Sequence, residues 1–120
     1  MSEKNQKARC SFALEQIDKI EKIIRRHGGV VPAMGDFEGE MALLMGIAQL
    51  GESLGRLDDT LAERFGLLEE KRGAYYTRNY IIHDYENVDR LLIEDILRYH
   101  LPELKRKLEA LMHFLEKEEE

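Results

Sequence analysis

The sequence predicts an all-α fold, most simply an antiparallel bundle of four or five helices. Three observations carry this. Apolar residues recur at the 3.6-residue helical period over long segments. No segment alternates with a period of two, and the β-branched residues fall at helical spacing. Glycine, proline and aspartate gather between the periodic segments, where a chain turns. The 120 residues suit one domain, residues 1–120, with a real core and little room for a second.

The first helix is expected from about Lys7 to His27, on Phe12, Ala13, Leu14, Ile17, Ile20, Ile23 and Ile24. Gly28-Gly29 ends it, and Arg25, Arg26 and His27 suit the negative end of its dipole. Val30 to Glu38, with Pro32, Gly35 and Asp36, reads as a loop. A second helix keeps its period through Met41, Leu44, Met45, Ala48, Leu50, Leu54 and Leu57. Gly46, Gly51 and Gly55 lie inside it; each weakens a helix by about 1 kcal/mol relative to alanine. They are best tolerated where another helix meets the backbone. Asp58-Asp59-Thr60 breaks the chain or caps a new start. A third main helix is expected from Leu68 to His83, then a turn over Asp84–Val88 with Asp89 as the next cap. Leu92, Ile93, Ile96, Leu97 and Tyr99 continue in helical spacing. Pro102 marks a kink or the first turn of a last helix built on Leu104, Leu108, Leu111, Met112 and Leu115.

Hydrophobic residues make up 43% and charged residues 35%, a globular balance. The single cysteine, Cys10, rules out a disulfide within the chain and reads as a core residue, which fits a reducing cytosol. No apolar run approaches the roughly 20 residues of a membrane span, and the first residues lack the apolar stretch of a signal peptide. A cytoplasmic location is the expectation. The formal net charge of −6 opposes broad nucleic-acid binding. Much of that charge lies in the tail Glu116-Lys117-Glu118-Glu119-Glu120, expected to fray, whereas Lys71 to His83 holds three bases and no acid.

That basic stretch ends in Arg78-Asn79-Tyr80-Ile81-Ile82-His83-Asp84-Tyr85. On a helix, residues five apart differ by about 140° around the axis and about 7.5 Å along it. Arg78 and His83 therefore do not stack, yet both can line one cleft. By spacing alone such a pair is more often surface or satisfied core. The sharper reading is chemistry on a phosphodiester. A histidine titrating near neutrality can take the proton of a ribose 2′-hydroxyl, and an arginine can hold the phosphate. That reaction needs no metal or other cofactor and distinguishes RNA from DNA. A two-fold dimer would bring two such pairs to one cleft.

Tyr75, Tyr76 and Tyr80 read as packing residues more than as base-stacking platforms. Tyr85, past the helix end, reads as exposed and open to modification. Asp84 either orients His83 or caps the turn. Glu52, beside Gly51, is a carboxylate close to an apolar stripe. His27, His100 and His113 have no metal-ligand spacing and read as structural. Lys105-Arg106-Lys107 reads as a solvated face rather than a nucleic-acid contact.

The eight-residue stretch resembles the R-N-x3-H-x-Y form of the Rx4-6H motif of the HEPN superfamily, in its HepT-like branch. Gly51-Glu52-Ser53 is similar to the branch's G-E-A/S element, Val88-Asp89 to its V-D, and Leu101-Pro102-Glu103-Leu104 to its D-L-P-x-L. The four pieces fall in order between residues 51 and 104, and the resemblance covers about residues 8 to 115. His100 stands where relatives carry an acid, and Gly73-Ala74-Tyr75-Tyr76-Thr77 departs from the branch's tryptophan-containing lead-in.

The resemblance implies a helical homodimer with both motifs at a shared cleft, acting as a metal-independent endoribonuclease toxin of a type VII-like pair. Arg78 and His83 take the catalytic positions, with Asn79, Asp84 and Glu52 supporting. It also implies an MntA-type nucleotidyltransferase antitoxin, which transfers AMP to the tyrosine of H-x-Y, here Tyr85, and a further assembly of dimer with antitoxin. The alternatives are a non-catalytic helical module that binds a nucleotidyltransferase or nucleotide, and a purely structural bundle.

Overall fold

The computed structural model describes residues 3–118, with side chains from Asn5 onward. Helix α1 spans Glu3–Arg26, α2 Val30–Gly35, α3 Phe37–Gly55, α4 Asp59–Arg64, α5 Leu68–His83, α6 Arg90–Asp95 and α7 Leu101–Glu118. Among the described residues there is no strand. The all-α expectation holds. Among the described residues no helix is long and apolar enough to cross a membrane. Of the acidic tail, Glu116–Glu118 continue α7 rather than fray, while Glu119 and Glu120 lie outside the described residues.

Helix α3 is the axis of the molecule: α1 packs on one side, α5 on another, and α7 lies against α1. Ile17 and Ile20 of α1, Leu43 and Leu54 of α3, and Leu108, Leu111 and Leu115 of α7 are fully buried between them. Cys10 joins this core and donates its thiol to the Leu108 carbonyl at 3.3 Å. Burial, followed by the charge of Glu116, pushes that thiol up to about 12, so it stays protonated and inert.

Helix ends follow the side chains available to cap them. Asp36, Asp58 and Asp89 each accept backbone N–H bonds from the first turns of α3, α4 and α6. The loop expected over Val30–Glu38 instead holds α2 and the start of α3. Pro32 falls in the first turn of α2, where its missing N–H costs nothing, and Gly29, at φ 143°, supplies the entry that other residues avoid. Between α6 and α7 the chain makes a wide π turn over Ile96–His100, with the Leu101 N–H reaching back to the Ile96 carbonyl. Pro102 explains it: a proline cannot donate four residues back, and its ring crowds that carbonyl.

Periodicity misplaced several apolar residues. Met41 and Met45, expected in the core stripe, are 57% and 58% exposed, and Phe37 on the same face is 73% exposed. Leu92 and Tyr99 are also exposed. Leu44 of the expected stripe is buried, joined by Leu43 and Ile47 from outside it.

His27 ties the first turn in the chain. Its Nδ1 lies 2.9 Å from the Ile23 carbonyl and its Nε2 lies 3.2 Å from Asp36 Oδ2, the cap of α3. The Ile23 carbonyl chiefly, then Asp36, raises the His27 pKa; the Gly39 N–H chiefly, then His27, lowers that of Asp36. The doubly protonated ring can donate at both nitrogens. A raised histidine adds stability that is full below its unfolded value, about 6.5, and lost as pH rises through the folded value. A lowered aspartate adds stability that is lost as pH falls through its folded value. The melting temperature should therefore fall as pH rises from near 6 into the alkaline range, and His27→Gln should flatten that decline. An equal decline in both proteins would remove His27 as its source.

Candidate active site

Gly51 sets the geometry. A Cβ there would collide with the Ala74 carbonyl oxygen and stand 2.7 Å from the Arg78 Cβ. Its absence lets α3 and α5 meet backbone to backbone. One turn on, Gly55 gives the same room to the Tyr75 ring. Ser53 fixes the other side of α3, its hydroxyl donating to the Arg9 carbonyl at 2.9 Å. The Gly51-Glu52-Ser53 element thus seats α3 between two helices and leaves Glu52 at the mouth of the α3–α5 seam.

There Glu52 meets Arg78. Arg78 Nε lies 3.1 Å from Glu52 Oε2, and Arg56 Nη2 donates to Glu52 Oε1 at 2.8 Å. The Arg78 Nε–H is buried and not aimed along a hydrogen bond, so the contact is an ion pair. Arg78 Nη1 donates to Asn79 Oδ1 at 2.6 Å, and the guanidinium carbon sits 5.6 Å from the Tyr75 ring centroid. The guanidinium is therefore held from three sides, while Nη2 keeps its hydrogens unused among the described residues. A positioned cation with a free N–H edge can take a phosphate oxygen.

His83 is the last residue of α5 and is exposed. Its imidazole makes no hydrogen bond among the described residues. Of the two uses open to Asp84, the structure shows the turn: its Oδ1 accepts from Asn87 Nδ2 at 2.9 Å, and its carbonyl accepts the Asn87 N–H. Tyr85 opens the short 3-10 turn Tyr85–Asn87 and is 45% exposed. The Tyr80 hydroxyl locks that turn, accepting the Asp89 N–H at 2.7 Å and donating to the Asn87 carbonyl.

Sequence reasoning missed three contributors: Tyr80 as this lock, Tyr75 beneath Arg78, and Arg56 as second partner of Glu52. The one available signal was Gly55, whose open backbone admits the Tyr75 ring. Tyr76, read as a packing residue, is 75% exposed. Lys105, Arg106 and Lys107 are each paired with a glutamate, Glu21, Glu103 and Glu70; only Arg106 is exposed, while Lys105 and Lys107 are half-buried ties to α1 and to the start of α5. Among the described residues no three His, Cys, Asp or Glu side chains gather to hold a metal ion.

The bundle thus carries an anchored arginine and, about 1.4 helical turns further along α5, an exposed histidine. A family model described as ribonuclease HepT-like matches residues 13–111. The chain belongs to the HepT-like ribonuclease family. Neither the curated proteins nor the solved structures give a match.

Proposed function

We propose that the protein is a metal-independent endoribonuclease toxin whose cleft is completed by a second copy of the chain. The observation that carries this is the state of the two motif residues: Arg78 is clamped with one N–H edge to spare, and His83 is exposed and unencumbered. In this reading His83 takes the 2′-hydroxyl proton as that oxygen attacks phosphorus. Arg78 holds the non-bridging oxygens as charge builds. The departing 5′-oxygen takes a proton from His83 of the second copy, leaving a 2′,3′-cyclic phosphate. Asn79 and Glu52 keep the guanidinium in place, and Asp84 shapes the turn that carries Tyr85.

The dimer is supported by the exposed stripe Phe37, Met41 and Met45 on α3, which runs at helical spacing toward Glu52. Three large apolar side chains on one face suit a partner surface. Pairing with an MntA-type nucleotidyltransferase in the cytoplasm is supported by family membership. Transfer of AMP to Tyr85 is supported by its exposed phenol two residues from His83; the added phosphate would repel RNA there.

The test is incubation of the purified protein with structured RNAs in EDTA, with intact mass confirming an unmodified Tyr85. Cleavage leaving cyclic phosphate ends is expected. Unmodified protein that cleaves none of several RNA classes would make the chain a non-catalytic module.

A further inference from the structure

Helix α5 carries more than its motif. Arg72, Tyr76, Asn79 and His83 stand at i, i+4, i+7 and i+11, which places them within one narrow stripe along the helix. Tyr76 lies two turns before His83, about 10 Å along the axis and about 20° around it. Arg72 lies one turn further. The stripe turns away from the core: Ala74 and Arg78 face α3 across Gly51, and Ile81 is buried.

Two features of the stripe ask for an explanation. Tyr76 exposes 75% of its surface, more than any other tyrosine of α5, and its hydroxyl makes no hydrogen bond among the described residues. Of the Lys and Arg residues on α5, Lys71 is tied to the Leu57 carbonyl and Asp59, and Arg78 to Glu52 and Asn79. Arg72 alone has no hydrogen bond or ion pair among the described residues. It acts only as a distant charge on Asp59. An uncovered aromatic face and an unspent cation, one helical turn apart and in line with His83, match the two needs of a single strand. One is a platform on which a base stacks; the other is a charge beside the backbone.

We infer that Tyr76 and Arg72 form the approach track for the RNA strand, with Tyr76 stacking an unpaired base next to the scissile phosphate and Arg72 holding a neighbouring phosphate. This rests on the ribonuclease reading and extends it. The substrate class is single-stranded RNA or an unpaired loop, since a base in a duplex has no face to offer. Tyr76 is a positioning residue: it fixes the strand and touches no reacting atom.

The track can be read without cleavage, in the His83→Ala protein. Binding is followed by fluorescence anisotropy with a labelled uridine strand and with an abasic ribose-phosphate strand of equal length. Tyr76→Ala should weaken the uridine strand about thirtyfold, the middle of the range for one lost stack, and leave the abasic strand unchanged; Tyr76→Trp should restore binding. Arg72→Ala should weaken both strands alike and lower the salt slope by about 0.7, one phosphate contact on a single strand. In the His83-containing enzyme the Tyr76→Ala loss should appear in KM rather than kcat. Equal binding of both strands by Tyr76→Ala and its parent would overturn the track. So would an equal loss on both strands accompanied by a lower sedimenting mass, which would place Tyr76 at a contact between copies. If Tyr76→Ala binds normally while His83→Ala still abolishes cleavage, the track fails and the ribonuclease reading stands. If neither the wild type nor the His83→Ala protein engages RNA, both fall.

Discussion

His83→Ala should lower RNA cleavage by about 10²–10⁴-fold, the range for losing a positioned general acid or base, and leave the melting temperature where it was. The structural half of that expectation is unusually clean. His83 is exposed, ends its helix and holds no hydrogen bond among the described residues, so no packing or buried partner is lost with it. The Asp84 N–H still closes on the Tyr80 carbonyl at 3.0 Å. A fall in rate with unchanged melting and unchanged sedimentation would therefore report chemistry. Arg78→Ala should also cut the rate, by about 10²–10³-fold, as for loss of one charge-stabilising donor. It is a less clean probe, because it also frees Glu52. Arg56 remains on the other oxygen of Glu52, so the carboxylate is not left alone and the fold should survive. Arg78→Lys should not rescue, since an ammonium cannot meet Glu52, Asn79 and a phosphate through one planar fork. Full activity in His83→Ala would remove that residue from the mechanism.

The bounds of α5 were readable because local chemistry dictates both ends. Gly66, at φ 68°, stops the chain before Leu68, and Asp84 turns it after His83. The caps at Asp58 and Asp89 were legible for the same reason. What the sequence could not show is which apolar face meets this chain and which meets something else. Met41, Met45 and Leu44 all satisfy a helical period, yet only Leu44 is buried. Helix α2 was hidden because Pro32 and its flanking glycines look like a loop until the proline's place in a first turn is known. The Glu52–Arg78 pair spans 26 positions, and nothing local announces it. The Gly51-Glu52-Ser53 element pointed to the right segment without saying that its glycine exists to let Arg78 in.

That role of Gly51 makes a prediction in which the same substitution takes opposite signs at two glycines. Both Gly51 and Gly73 lie inside helices, and in an open helix glycine to alanine gains about 1 kcal/mol. At Gly73 a Cβ would meet nothing within 4 Å. Gly73→Ala should therefore stabilise by about 0.5–1 kcal/mol, which raises the melting temperature by roughly 2–6 °C. At Gly51 the new carbon would collide with a backbone carbonyl, that of Ala74, and crowd the Arg78 Cβ at 2.7 Å. Neither is the far end of a flexible side chain, so α5 must move off α3 as a body. Overpacking of this kind costs about 1–3 kcal/mol, and the widened seam also forfeits close packing along its length. The clash exceeds the helix gain, so Gly51→Ala should melt lower than wild type, and Gly51→Val lower still. The displacement carries Arg78 away from Glu52, so cleavage should fall with stability, even at temperatures where the variant is fully folded. Differential scanning calorimetry of Gly51→Ala and Gly73→Ala side by side decides it. If both rise, the backbone contact at Gly51 is not what holds Arg78 in the seam.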